Sequence, residues 1–211
     1  DHRDLHSFPT RRSSDLESSQ LAKDSLFAHL SFMLEDGGWD NSFGTRNFKW
    51  TYWGSRTSDG CLPGYLVYAR DCTEFASAAV RNFALLESCT HNGLLCGGPH
   101  YVQAGQSICV HHTFEHAKML SLVQDLSLFS GIVEQKAQLP RTTREGLHYF
   151  GELASWILTR QKFTATVTGY DWEYLPGGHV SGGSLSLYYH TAAGLLLCAG
   201  MGKYVLKERN N

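Results

Sequence analysis

Hydrophobic positions recur at helical spacing in separate stretches before residue 130, and at strand spacing after residue 140. From Ser18 to about Leu34, the residues Leu21, Leu26, Phe27, Leu30, Phe32 and Met33 mark one helical face, which Gly37-Gly38 interrupts. Gly64–Ala69 reads as a short helix. Thr73–Cys89 reads as a longer one, with Phe75, Ala76, Ala79, Val80, Phe83, Leu86 and Cys89 on one side. His91-Asn92-Gly93 closes it, because Asn and Gly accept a left-handed backbone. Gly97-Gly98-Pro99 adds a second break, and Ser107 to about Phe129 carries the third long helical pattern. Helix and long polar loop in alternation is the pattern of an α/α layered domain.

Past Pro140 the period falls to two. Phe163–Thr168 runs F-T-A-T-V-T and Ser184–Tyr189 runs S-L-S-L-Y-Y, with Gly177-Gly178 and Gly182-Gly183 as turns. Leu195–Ala199 and Tyr204–Lys207 extend the series. The change of period predicts a helical part over residues 17–140 and an antiparallel β part over 141–211, meeting across a groove. Strands within 73–89 or 107–126 would contradict it.

Residues 1–16 stand outside this scheme. D-H-R-D-L-H-S-F-P-T-R-R-S-S-D-L is the in-frame translation of a common sequencing adapter, so the segment is excluded from fold reasoning. The native sequence is then expected to start near Glu17, and the sheet to be cut short at Asn211.

Composition narrows the function classes. The 211 residues carry a formal net charge of −2, which points to neither nucleic acid nor an anionic membrane as partner. No apolar run approaches the ~18–20 residues of a membrane-spanning helix. The six cysteines (61, 72, 89, 96, 109 and 198) form no C-x-x-C pair, so no zinc-ribbon or thioredoxin signature is present. Cys89 and Cys96 flank one turn and are close enough in sequence to bridge it.

The chemistry concentrates between Glu35 and Cys61, in the run E-D-G-G-W-D-N-S-F-G-T-R-N-F-K-W-T-Y-W-G-S-R-T-S-D-G-C. Arg46, Lys49 and Arg56 interleave with Trp39, Trp50, Tyr52 and Trp53. Aromatic faces fit the C–H faces of sugars, and guanidinium forks pair carboxylates. The run therefore reads as an anionic-carbohydrate cleft; the plainer account is a long loop pinned to the core by its tryptophans. His91, His100, His111, His112 and His116 follow, joined by Asn92 and Tyr101. His112 and His116 share a helix face and are the candidate ligands of a structural divalent ion. The run H-H-T-F-E-H lacks the H-E-x-x-H order of a metalloprotease. Among carboxylates, Glu35, Asp36, Asp40 and Asp59 flank the aromatic run and could supply the acid/base pair of a glycosidase. The cleft-like segments are nonetheless dominated by His, Asn, Arg and Tyr, the set expected when the substrate carries the carboxylate. Elimination across a uronic acid needs a group that neutralises the carboxylate, a base for the C5 proton and an acid for the leaving oxygen.

These motifs bear a resemblance. N-F-K-W-T-Y-W-G-S-R, then H-N-G and G-P-H-Y, then R-Q-K-F-T-A-T-V-T-G-Y-D-W, taken in that order, resemble the heparinase II/III-type polysaccharide lyases and related alginate and glucuronan lyases. The resemblance implies an α+β multidomain fold, an α/α toroid-type helical portion followed by an antiparallel β-sandwich portion, both truncated. It implies β-elimination on an acidic polysaccharide, no required cofactor, and a secreted or periplasmic setting. By the same resemblance Asn47 or Asn92 neutralises the carboxylate with His91 nearby, and Tyr101 is the acid/base residue beside His100. His190 or Tyr189 is the contribution from the sheet. Arg46, Arg56, Trp50, Tyr52 and Trp53 would bind substrate. The family's adjacent Asn-His is here reversed as His91-Asn92. A glycoside hydrolase on an α/α barrel, using a pair from Asp36, Asp40 and Asp59, and a non-catalytic glycan-binding protein stand as the alternatives.

Overall fold

The computed structural model describes residues 13–43, 55–96, 105, 110–132, 137–169 and 183–198, with backbone alone at 13–15, 55–59, 111 and 112. The first helix, α1 (Ser13–Leu30), begins within the adapter-like segment and buries Leu26 and Leu30 in its last turns. Leu21 and Phe27, expected on its buried face, are exposed. The chain then folds back on itself. Leu34 N–H donates to Gly38 O at 2.7 Å, and Asp40 N–H to Phe32 O at 2.8 Å. Gly37 turns the corner at φ +88°, so close to the helix over Thr73–Ser88 that a Cβ there would stand 2.3 Å from Arg81 O. Only glycine satisfies both demands.

The second helix, α2 (Ser55–Tyr68), is more than twice the length expected and takes in the end of the aromatic run. Leu62, Tyr65 and Leu66 are buried on it. Its Tyr65 hydroxyl donates to Leu26 O at 3.0 Å, and the Tyr65 ring stacks 6.0 Å from Trp39. Helix α3 (Thr73–Ser88) presents Phe75, Ala78, Ala79, Leu85 and Leu86 to the core, and the two alanines let α2 approach. A two-stranded hairpin follows, β1 (Thr90–His91) and β2 (Leu94–Leu95). Asn92 at φ 51° and Gly93 at φ 76° carry the two positive φ angles of a type I′ turn. Helix α4 (Val110–Asp125) buries His116, Met119 and Val123, spaced i, i+3 and i+7.

After the short α5 (Pro140–Thr143) come β3 (Gly146–Phe150), β4 (Ser155–Arg160), β5 (Phe163–Thr168), β6 (Ser184–His190) and β7 (Gly194–Cys198). They form one antiparallel sheet in sequence order, with register shifts in the β5–β6 and β6–β7 pairings. Its inward side contributes Ile157, Leu187 and Tyr189 to the same core as Leu30, Met33, Trp39 and Leu62, and Phe32 meets Phe150 at 4.8 Å.

The expected α/α toroid is overturned. Among the described residues there are five helices, one of only four residues, and a five-stranded antiparallel sheet, with no extended helical toroid. A toroid needs successive helix pairs, whereas here a turn follows α1, a hairpin follows α3, and the helices close directly onto the sheet. The sheet is likewise a single layer among the described residues rather than two facing ones. The expectation at Tyr204–Lys207 lies outside them.

Candidate functional site

The type I′ turn sets His91 and Asn92 at the exposed tip of the hairpin. Asn92 holds its backbone at φ 51°, which Asn tolerates better than most residues because its short polar side chain bonds locally. The hairpin is moored to α4, since Leu95 N–H donates to Thr113 Oγ1 at 3.0 Å. The helix carrying His112 and His116 thus runs beside the strand following His91-Asn92-Gly93. His116 is 3% exposed and faces the core with Met119 and Val123. Among the described residues no group of three or more His, Cys, Asp or Glu side chains gathers as a metal site.

A second polar assembly lies where helices meet sheet. Asp40 and Arg141 have fully buried side chains and pair at 2.8 Å. The guanidinium also donates from Nε to Thr164 Oγ1 at 3.1 Å and from Nη2 to Thr166 Oγ1 at 2.6 Å. Thr166 in turn donates to Asp40 Oδ2, and Oδ1 accepts from the Ser42 N–H and hydroxyl. Thr159 Oγ1 closes the network by donating to Arg141 O at 2.7 Å. Both carboxylate oxygens of Asp40 are saturated, as a buried charge requires. Nearby, Arg81 pairs with Glu35, and Glu35 Oε1 accepts from Thr142 Oγ1 at 3.1 Å. Asp36 Oδ1 accepts from Gly38 N–H at 3.0 Å.

Tyr189 is 3% exposed on the inward side of β6, near this turn. Burial pushes its phenol above the usual range, and Asp36 and Glu35 push it further. A backbone hydrogen bond at Asp36 and the Arg81 charge pull only partly the other way. The group is held neutral. His190, one residue on, points to the opposite side, where its ring meets Phe163 edge-on at 4.7 Å. Its Nδ1 accepts from the N–H groups of Ala192 and Ala193, at 3.2 and 3.0 Å, so a neutral ring carries its proton on Nε2.

The sequence-predicted site is therefore placed in part. His91 and Asn92 share the hairpin tip, His116 is in the core, and His190 lies on the side of the sheet away from the helices. Arg56 and His112 have described backbones within α2 and α4. Asn47, Arg46, Trp50, Tyr52, Trp53, His100 and Tyr101 lie outside the described residues. Sequence reasoning missed Arg81 and Arg141. Arg141 follows Pro140 at the start of a four-residue helix and carries no periodic signal, so only the fold reveals its burial.

Comparison with known proteins adds a family. Residues 10–142 match the family model described as the ulvan lyase N-terminal domain, and residues 147–211 match that of the ulvan lyase C-terminal domain. The first match starts inside the adapter-like segment. The two meet between α5 and β3. The broad-specificity ulvan lyase of Formosa agariphila is 44% identical over 203 residues, covering 95% of this chain and 32% of the relative. The chain thus spans about a third of that protein's length. No solved structure matches the chain.

Proposed function

The chain belongs to the ulvan lyase family, and on that premise we propose that this protein cleaves an acidic, uronic-acid-containing polysaccharide by β-elimination, with ulvan as the first substrate to test. The observation that carries the reading is the fate of the carboxylates. Asp40 is sealed inside an ion pair, while Glu35 and Asp36 are engaged by Arg81, Thr142 and Gly38 N–H. A glycosidase needs two carboxyl groups facing one sugar. Asp40 instead ties the turn after α1 to the sheet, Glu35 ties it to α3 and α5, and Asp36 caps the turn itself. Elimination asks the protein for no such pair.

In this reading Asn47 or Asn92, with His91, neutralises the substrate carboxylate and renders the C5 proton acidic. Tyr101, beside His100, removes that proton. The C4–O bond then breaks, a proton passes to the leaving oxygen, and a C4–C5 double bond conjugated to the carboxylate remains. Arg46 and Arg56 hold acidic groups along the chain, and Trp50, Tyr52 and Trp53 stack sugar rings. His190 would serve substrate only from the outer side of the sheet, which favours the helical part as the seat of the chemistry. The order of residue types supports a kinship with the heparinase II/III-type lyases. The helical catalytic part spans 17–140 and the β part 141–211, with 1–16 an adapter translation. His112 and His116 are the proposed ligands of any structural divalent ion. Action on a polymer too large to enter a cell fits secretion or a periplasmic location.

The test is ultraviolet absorbance of the products released from ulvan. Tyr101→Phe keeps the ring and removes the ionisable hydroxyl, so turnover should fall by about 10²–10⁴-fold, as for loss of a general acid–base group, with binding largely kept. Unchanged turnover rejects the role of Tyr101. A saturated product rejects elimination in favour of hydrolysis, and binding without any product leaves a glycan-binding module.

A further inference from the structure

Cys89 and Cys96 meet at the base of the hairpin, and we propose that their thiols are a disulfide site that clamps the hairpin shut. Register carries the inference. Thr90 pairs with Leu95 and His91 with Leu94, so the next pair outward is Cys89 and Cys96. Cys96 N–H donates to Cys89 O at 2.9 Å, so the two backbones touch where Cys89 caps α3 with φ −89° and ψ 0° and gives its own N–H to Leu85 O. A backbone N–H···O contact of this length keeps the two Cα atoms roughly 5–6 Å apart, inside the ~4.4–6.8 Å window of natural disulfides. Both residues are 1% exposed, and both stand as free thiols in this structure. Burial makes two reduced thiols slow to react once the fold has closed, so the bond is made as the hairpin forms. Cys72 and Cys198 are also free thiols, but no strand register opposes either to a second cysteine.

The oxidant is a small-molecule disulfide such as oxidised glutathione. The Cys89 thiolate attacks one of its sulfurs, forming a mixed disulfide and releasing one glutathione thiol. The Cys96 thiolate then attacks the Cys89 sulfur, releasing the second. Two protein thiols lose two electrons and two protons, and the glutathione disulfide gains them. The bond closes a ring containing His91 and Asn92. Its effect on catalysis rests on the roles proposed for those two residues, whereas the bond itself rests on the register alone.

The experiment refolds the full chain in a glutathione redox buffer, quenches it with N-ethylmaleimide in denaturant so that buried free thiols also react, and maps alkylation by mass spectrometry after chymotryptic cleavage at Leu94 and Leu95. The expected result is loss of two of the six alkylations, with the Cys89 and Cys96 peptides joined until reduced. Cys89→Ser and Cys96→Ser should each restore the partner's alkylation. The purified, never-unfolded chain incubated in the same buffer gives the second reading, independent of refolding yield. Full alkylation of both cysteines in both preparations overturns the proposal, as does linkage of either to Cys109. Limited proteolysis tests the clamp: the oxidised form should be nicked within 90–95 at least tenfold more slowly, and equal rates would overturn the clamping role.

Discussion

Replacing Asp40 with Ala should destabilise this protein more than any surface change, because it strands a buried guanidinium. Arg141 sits with its side chain fully buried, and its Nη1 has Asp40 Oδ2 as acceptor at 2.8 Å. Removing the carboxylate leaves that charge without a counter-ion and deprives Thr166 Oγ1 and the Ser42 hydroxyl of their acceptor. Breaking one side of a buried ion pair typically costs about 3–5 kcal/mol. Against a total stability of roughly 5–15 kcal/mol, that is a large fraction. For a chain of this length each kcal/mol lowers the melting temperature by roughly 2–4 °C, so the expected fall is roughly 6–20 °C. Thermal unfolding followed by circular dichroism reads it directly. The double variant D40A/R141M distinguishes a stranded charge from simple loss of packing. With both charges gone, it should be more stable than D40A alone, a coupling of opposite sign to the single-variant losses. A shift below about 2 °C in D40A, or a double variant as unstable as the sum of its parts, would refute the assignment of Asp40 as a structural carboxylate and reopen it to catalysis.

Two further outcomes follow from burial and backbone geometry. In the reduced protein, burial lifts the Cys61 thiol from 9.0 to about 12 and the Cys89 thiol from 9.0 to about 11; unfolded thiols ionise near 9 while the folded ones keep their protons, so this stability is complete below pH 9 and drains away as pH rises from 9 to 12. Melting temperature should fall steeply above pH 9 and less steeply in Cys61→Ala; a flat profile to pH 11 would contradict it. Gly37→Ala should lower stability, since φ +88° and a Cβ 2.3 Å from Arg81 O compound each other. Gly60→Ala, in α2 with nothing within 4 Å, should raise it by up to about 1 kcal/mol, and equal effects at the two positions in denaturant titrations would disprove the account.

Particular residues show how far the pattern of the chain could be followed. Thr73–Cys89 and Phe163–Thr168 were legible to within a residue because each combines a clear period with glycine or polar breaks. In the sequence, the hairpin at 90–95 reads as a helix stop. Asn-Gly serves both uses, and the two-residue strands are too short to show alternation. The strands β3 and β4 were hidden because Gly146–Phe150 and Ser155–Arg160 mix polar and apolar residues around a 3₁₀ turn. At the candidate site, the sequence sets His91 beside Asn92 at a turn, but it does not say that Tyr189 is buried and His190 lies on the outer side; that needs the register. One residue of offset sends the two side chains to opposite sides of the sheet.

The sheet also inverts the usual inference from alternation. Period two in F-T-A-T-V-T separates two sides but does not say which one is buried. The customary assignment would turn Phe163, Ala165 and Val167 inward. In the structure Thr164 and Thr166 point inward, at 2% and 0% exposure, while Phe163 on the other side is 39% exposed. The cause is Arg141. Its guanidinium and backbone carbonyl require hydroxyl partners in a place water does not reach, and Thr159, Thr164 and Thr166 supply them from β4 and β5. A valine in place of any of the three would bury just as well and would leave a polar atom without a partner. Once Arg141 is committed to the junction, Asp40 must follow to balance its charge, and the turn after α1 is fixed against the sheet by that pair. The aromatic run begins at the end of this turn. The carboxylate that composition offered to a glycosidase thereby holds the turn after α1 against the sheet, and the chemistry proposed for this protein is the kind that can do without it.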